Sequence, residues 1–406
     1  MRILIVDVYG KIRSVGKITS LQYEYLKSHG HQVRVVYRGY REPVIDNPDY
    51  IRVANKVEFY LSKLITMLTG LEGHVHPIAT RRLKKLTKTF NPDIVQLNNL
   101  HGYFINNSKY IAFLRDRNCP AVYTMIDEYP YMGKCPYSKE CNKFTVGCSS
   151  PCPQKRTYPK SLIFDNARFI WEGKQKAYQG YDNIVFTGPR WVVERAKLSA
   201  LLKGKNIVEL DEPIHFKSCF YPRNTRILKE KLGIPEGNKV IVTVTRMSAP
   251  SKGGIYFYEA ARLLKQRKDI SFVYVGLDTE EPFSLDNLIP IRYVNSQDEL
   301  ADYYSLGDVF VSCSLADTQP NACLEALGCG TPLIAFAAMG LPYIAPGNLE
   351  LLVEPQNIAK LAEAFAKVEK KTEELTKQCR EYALGRYSSD IVMSKLVEIY
   401  KGLVNE

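Results

Sequence analysis

Ile3-Leu-Ile-Val6, the polar stretch Tyr9-Gly-Lys-Ile-Arg-Ser-Val-Gly16, apolar residues at Ile18, Leu21, Tyr25 and Leu26, and then Gln32-Val-Arg-Val-Val36 form the first forty residues, and they decide the fold. The run at 3–6 reads as a buried strand and the stretch to Gly16 as a loop. The next apolar set has helical spacing, with Gly30 where a helix should stop. Strand, loop, helix, strand is the repeating unit of a parallel sheet with helices on both faces. The rhythm continues through strand-like runs at Asp93–Leu97, Ala121–Met125, Asn183–Phe186 and Asn206–Leu210, and breaks into a linker from Glu212 to Pro222. A second series follows: a strand at Lys239–Thr245, a helix from Gly254 to Gln266, and a strand at Ser271–Val275. Ser296-x-x-Glu299 is a capping box before the strand Asp308–Ser312, and Thr331–Ala335 is a further strand. The expectation is α/β: two Rossmann-like doubly wound domains facing a cleft, residues 1–212 and 213–388, with a last helix from about Ser389 to Leu403.

Composition agrees with a soluble globular chain: 406 residues, 45% hydrophobic and 24% charged. The first apolar run meets Asp7 too early for a secretion signal or a membrane span, and the stretch Thr331–Ala345 is broken by Pro332 and Pro342. A cytoplasmic chain is expected, its ten cysteines thiols or metal ligands rather than disulfides. The net charge of +12 is uneven. Residues 1–200 hold 31 Lys and Arg against 16 Asp and Glu, a net +15, whereas the remainder is net −3. The basic half should face an anionic partner, unless it is merely a lysine-rich solvated surface.

Two segments of the second series could carry chemistry. Ser314-Leu-Ala-Asp-Thr-Gln-Pro-Asn-Ala-Cys-Leu-Glu-Ala-Leu-Gly-Cys-Gly-Thr-Pro332 leaves a strand, passes Asp317 and enters a helix near Asn321. The N–H groups of such a helix start favour a diphosphate, and Glu325 one turn later can accept hydrogen bonds from ribose hydroxyls. The plainer alternative is that Pro320 and Asn321 only start the helix and Glu325 is a solvated charge. The second segment, Val244-Thr-Arg-Met-Ser-Ala-Pro-Ser-Lys-Gly-Gly254, places Arg246 and Lys252 between a strand and a helix. Two cations there would stabilise the charge that grows on a departing nucleoside diphosphate. The Gly253-Gly254 pair would let the backbone approach a ligand closely.

Together these segments resemble the donor-binding half of the family 4 retaining glycosyltransferases, which have the GT-B fold. That family has an acidic residue, seven intervening residues and then Glu, here Asp317 and Glu325; Asp-x-x-Pro-Asn resembles the capsule and exopolysaccharide branch. Ser14-Val-Gly-Lys-Ile18 resembles the glycine loop that approaches the donor phosphates, through Gly16. Pro92–Tyr103, Cys135–Pro159 and the terminal helix also match the branch, and the resemblance implies that this helix, 389–406, packs back on the first domain. The resemblance implies that Arg246 and Lys252 hold the diphosphate, Glu325 the ribose, and Asp317 the donor-sugar hydroxyls. Pro320 opens the helix whose Asn321 and Ala322 offer N–H groups, while His101 and Asp127 contact acceptor or sugar. It implies a UDP-sugar donor, a glycan or lipid-linked acceptor in surface polysaccharide synthesis, an N-terminal acceptor domain, and no metal or other cofactor for catalysis.

Departures from the family pattern are specific. Thr124-Met-Ile-Asp127 carries Ile126 where the family has a donor-contacting His, Gln96 and Asn98 stand where His is frequent, and Arg246 and Lys252 are one residue further apart than usual. The loss of a polar contact at Ile126 favours a 6-deoxy, pentose or otherwise altered donor; a weakened enzyme and a sugar-nucleotide epimerase are the rival readings. Cys135, Cys141, Cys148 and Cys152 suit a structural zinc, against scattered buried thiols. Val53, Val57, Tyr60, Leu61, Leu64, Ile65 and Leu68 share a helical face that is expected to pack in the core, the alternative being that it docks on an anionic inner membrane. The nearby Arg81-Arg-Leu-Lys-Lys85 is expected to draw the chain to an anionic inner membrane surface. A nucleic-acid partner is not expected, because no nucleic-acid module is recognisable.

Overall fold

The computed structural model describes residues 1–39, 42–216, 218–279 and 285–405; Lys217 of the expected linker lies outside these. The chain divides into two compact units, Met1–Glu212 with Val392–Glu406, and Pro213–Ile391. In the first unit the strands are β1 (Arg2–Asp7), β2 (Gln32–Tyr37), β3 (Tyr50–Arg52), β4 (Ile94–Leu97), β5 (Ala121–Thr124), β6 (Ile184–Gly188) and β7 (Asn206–Glu209). The second holds β8 (Lys239–Val244), β9 (Ile270–Val275), β10 (Leu288–Ile291), β11 (Val309–Ser312), β12 (Leu333–Phe336) and β13 (Glu350–Val353). Helices α1 (Arg13–Ser28), α2 (Lys56–Thr69), α3 (Pro77–Phe90), α4 (Asn107–Arg115), α5 (Ala167–Tyr178) and α6 (Arg190–Lys197) belong to the first unit. Those of the second are α7 (Arg226–Lys231), α8 (Gly254–Leu263), α9 (Gln297–Leu306), α10 (Asn321–Gly328), α11 (Ile358–Ala366) and α12 (Glu373–Tyr387). The last helix, α13 (Ser389–Asn405), starts in the second unit and ends in the first.

Both sheets are parallel, with orders β3-β2-β1-β4-β5-β6-β7 and β10-β9-β8-β11-β12-β13. Burial on both faces explains why the central strands read as unbroken apolar runs. Alternate residues of β1 feed two different layers: Leu4 and Val6 pack with Val95 and Tyr123, Ile3 and Ile5 with Val35 and Leu396. Each order reverses once, between β1 and β4 and between β8 and β11. Ligands of open α/β sheets bind outside the carboxyl ends of the strands at such reversals.

The reading of α2 as a core-facing apolar helix is corrected. Val53 lies before the helix and is buried, but Val57, Tyr60, Leu61, Leu64 and Leu68 are exposed, and Glu58, Ser62 and Thr66 point inward. The physical reason is the neighbour. The Glu58 carboxylate accepts the N–H groups of Ile78 (2.7 Å) and Ala79 (3.1 Å) at the start of α3, and the Ser62 hydroxyl donates to the Val75 carbonyl. Orphan N–H groups at a helix start need acceptors, and the Glu58 carboxylate supplies one. Three strands escaped the sequence reading, β3, β10 and β13, and all three are edge strands. Edges are short and half-exposed, and β10 contains Pro290, which only an edge tolerates. Among the described residues no helix is long and apolar enough to cross a membrane.

Candidate active site

In the second unit the expected residues gather at the β8/β11 reversal. Arg246 and Lys252 follow β8, and Asp317 follows β11. The loops are tied together where the Leu315 N–H donates to the Ser251 carbonyl at 2.8 Å. Lys252 Nζ forms an ion pair with the Asp317 carboxylate; the lysine is half-exposed and the aspartate mostly covered. The Arg246 guanidinium sits 5.1 Å from the Tyr293 ring centre, which keeps an exposed cation at the sheet edge. Helix α10 begins after buried Pro320 without a side-chain cap, so Asn321 and Ala322 open the helix with first-turn N–H groups. One turn on, half-buried Glu325 accepts the Tyr304 hydroxyl at 2.8 Å, which fixes the carboxylate's orientation.

The glycines act on the chain itself. At Gly253, φ is +70° and a Cβ would lie 1.9 Å from the Cys313 carbonyl oxygen; at Gly254 it would lie 2.0 Å from the Tyr274 hydroxyl. The pair therefore seats the Lys252 loop against the end of β11, where the sequence suggested room for a ligand. Gly340 does the same beside Thr318, whose carbonyl a Cβ would meet at 1.7 Å.

The first unit has its own cluster at the β1/β4 reversal. His101 Nε2 and Asp127 Oδ2 are 2.7 Å apart and buried. Burial opposes a charged imidazole, but Asp127 outweighs it and raises the His101 pKa. Four partners escaped the sequence reading. Glu72 accepts the N–H groups of Gly102 (2.8 Å) and Tyr103 (2.9 Å); among the described residues its Oε2 has no hydrogen-bond partner, and neither has Arg38 Nε. Tyr158 approaches His101 Nδ1 at 3.4 Å. Fully buried Lys174 lies 3.4 Å from the Tyr129 ring centre, its pKa pushed down by burial to about 7. These residues come from distant loops and from helix α5, and no local spacing announces them.

Gly16 lies in α1, where a Cβ would come within 2.9 Å of the Lys11 backbone, so the 9–12 loop folds over it. The N–H groups of Gly10, Lys11 and Ile12 all point at the Glu42 carboxylate, at 2.6–3.2 Å. This is an anion-binding nest with a protein carboxylate in it. The Gln96 and Asn98 positions build a buried chain: the Asn98 amide donates to Thr19, Thr19 donates to Asp7, and the Gln96 amide donates to Asn98 and Thr124. Ile126, between Thr124 and Asp127, is half-buried.

The four loop cysteines are free thiols. Cys135 and Cys152 share a hydrogen bond, and Cys148 accepts the Gly133 N–H at 3.2 Å. Among the described residues no three His, Cys, Asp or Glu side chains converge as a metal-ligand group, so the loop has no preformed zinc cage.

Residues 238–370 match the family model for glycosyl transferases group 1. Over 132 residues the chain is 30% identical to an alpha-monoglucosyldiacylglycerol synthase of Streptococcus pneumoniae, which covers 30% of this chain and 29% of that protein. Over 349 residues it is 20% identical to the putative colanic acid biosynthesis glycosyl transferase WcaC of Escherichia coli, covering 81% of this chain and 78% of that one. The first three curated relatives are matched over 29%, 49% and 32% of their own lengths. The HepE structure from Anabaena in complex with UDP superposes with a TM-score of 0.65 at 13% identity, over 99% of this chain and 100% of that one. Two parallel-sheet α/β units with such neighbours define a GT-B fold. The match to glycosyl transferases group 1 falls on the unit that carries Arg246, Lys252, Asp317 and Glu325.

Proposed function

We propose that the chain is a retaining glycosyltransferase that takes a sugar from a nucleoside diphosphate, UDP above others, and passes it to a glycan or lipid-linked acceptor of a surface polysaccharide. The observation that carries the reading is the Lys252–Asp317 pair beside the uncapped start of α10, at the β8/β11 reversal. A diphosphate arriving there competes for Lys252. The lysine and Arg246 then hold the phosphates with the Asn321 and Ala322 N–H groups, and the released Asp317 carboxylate accepts hydrogen bonds from the sugar hydroxyls. Glu325, oriented by Tyr304, takes the ribose. As the bond from the anomeric carbon to the phosphate oxygen breaks, the cations stabilise the departing diphosphate. The acceptor oxygen bonds to the same face of that carbon, and its proton passes to the leaving phosphate oxygen. Gly16, near the start of α1, is assigned to the donor phosphates, and His101 and Asp127 to acceptor or sugar hydroxyls. HepE's binding of UDP supports the choice of base, and the similarity to WcaC supports a polysaccharide product. An apolar Ile126 favours a donor sugar lacking a C6 hydroxyl.

Thermal unfolding with UDP, GDP, ADP and their sugars tests this. A stabilising shift with one base, lost in Arg246→Ala and in Glu325→Ala, is expected. No shift with any nucleotide at about millimolar concentration would overturn it, since even a weak site stabilises at that excess. Preference for UDP-glucose or UDP-galactose would sink the Ile126 argument alone.

A further inference from the structure

Helix α2 turns its apolar side to solvent. Val57 is 76% exposed, Leu61 56% and Leu64 54%, with Tyr60 and Leu68 beside them, while Glu58, Ser62 and Thr66 are buried. Turning the helix over would cover the leucines but strip Ile78 and Ala79 of the Glu58 carboxylate, so the orientation is fixed. The apolar surface also continues beyond the helix. Leu162 N–H donates to the Met67 carbonyl at 2.8 Å, and the Ile163 and Phe164 N–H groups to the Leu68 carbonyl at 3.2 Å. That pins the exposed Leu162, Ile163 and Phe164 side chains against the end of α2. A contiguous exposed apolar surface of this kind marks an interaction site.

Cations border it. Exposed Phe169 lies 5.4 Å, ring to ring, from His74, and His74 lines a cavity of about 550 Å³ with Arg81, Lys84, Lys85, Lys88 and Lys109. Pro77, another lining residue, adjoins exposed Ile78. The charge there is under-compensated: Lys84 is held below its usual pKa first by burial, then by Lys109 and Lys88, against the pull of Asp116. Asp116 is itself engaged by Arg115 at 2.7 Å.

We propose that this face of the first unit docks on a bilayer containing anionic lipids, the α2 and 162–164 side chains entering the headgroup boundary and the cavity cations holding lipid phosphates. Charge complementarity selects this occupant. A second copy of this face would bring the same cavity, whose lining, among the described residues, holds no acidic side chain to pair with these cations. None of the residues assigned to the donor lies here, so docking stands or falls independently of the transfer reading.

Flotation of the full chain with phosphatidylcholine vesicles, with and without about a third phosphatidylglycerol, tests it at low and high salt. Binding to the anionic vesicles alone, weakened by salt, is expected. Each surface cation changes binding roughly fivefold, so Lys84→Glu with Lys88→Glu should lose at least about twentyfold. Leu61→Asp with Leu64→Asp, and separately Phe164→Ser, should each weaken binding about tenfold or more without lowering the thermal unfolding temperature. The proposal is overturned by absence of binding at low salt, by equal binding to both vesicles, or by unchanged binding of the leucine and phenylalanine variants. A concentration-dependent dimer abolished by Leu61→Asp, with no vesicle binding, would assign the face to self-association instead.

Discussion

Asp7 ends β1 with its carboxylate fully enclosed, accepting the Thr19 hydroxyl at 2.6 Å and the Tyr9 N–H at 3.0 Å. Burial outweighs these hydrogen bonds and raises its pKa from 3.8 to about 7. Between those values the folded chain keeps a proton that the unfolded chain has released, so stability falls as pH rises from about 4 to about 7, and the penalty is full above that. Asn at this position carries no such penalty. Asp7→Asn should therefore be more stable than the parent at pH 8, by about 2–4 kcal/mol for the first unit's transition. The advantage should shrink as pH falls towards about 4, and urea unfolding at several pH values checks this. At this scale legibility follows sequence distance. Lys252, Asp317 and Glu325 are visible because each sits in or beside a strand-to-helix loop of known sense. Glu42, Glu72, Arg38 and Lys174 are not, because topology alone brings them to Gly10, Gly102 and Tyr129 from afar.

Elements show the same limit in another form. The periodicity of α2 states which of its faces is apolar, but the direction of that face was set by Glu58 and the start of α3, which no window over residues 56–69 contains. Strand rhythm located the central strands of both sheets and the edge strand β7, and missed the other three edges, where one side lacks a neighbour to demand apolar residues. The loop that carries Cys135, Cys141, Cys148 and Cys152 yields a prediction of its own. The hydrogen bond from Cys135 holds the Cys152 thiol below its usual pKa despite burial, whereas burial pushes Cys119 up to about 11. In metal-free protein at pH 7, iodoacetamide should label half-exposed Cys152 well before Cys119, since the thiolate is the nucleophile. Cys135→Ala should slow Cys152 labelling about tenfold. Peptide mapping over time measures both, and equal rates would remove the shared hydrogen bond from the account. A structural zinc on Cys135, Cys141, Cys148 and Cys152 remains a proposal for this loop. It needs about one equivalent of zinc in protein purified without chelator; under half an equivalent overturns it.

At the scale of the whole molecule, the chain makes the first unit's core depend on its own last residues. Helix α13 brings Val392, Met393, Leu396 and Tyr400, all buried, into the layer that holds Ile3, Ile5 and Val35. The Tyr400 hydroxyl donates to Gln96 Oε1 at 2.7 Å and completes the chain of polar groups that runs through Asn98 and Thr19 to Asp7. Sequence periodicity shows that the final helix has an apolar face; it contains nothing that says which sheet covers it. Truncation after Ile391 bares that layer, and each large buried side chain removed from a core is worth about 2–5 kcal/mol. That sum exceeds the reserve of an ordinary domain. The truncated chain should therefore lose the first unit's unfolding transition and keep the second unit's, together with any nucleotide-dependent shift of it. Tyr400→Phe is the milder form. It leaves a buried acceptor without its donor and should lower the first unit's stability by about 1–3 kcal/mol, leaving the second unchanged. Calorimetry of both variants with and without nucleotide separates the two transitions. Loss of both together would mean that the units fold as one cooperative body, and the nucleotide-bearing unit could then not be assigned a stability of its own.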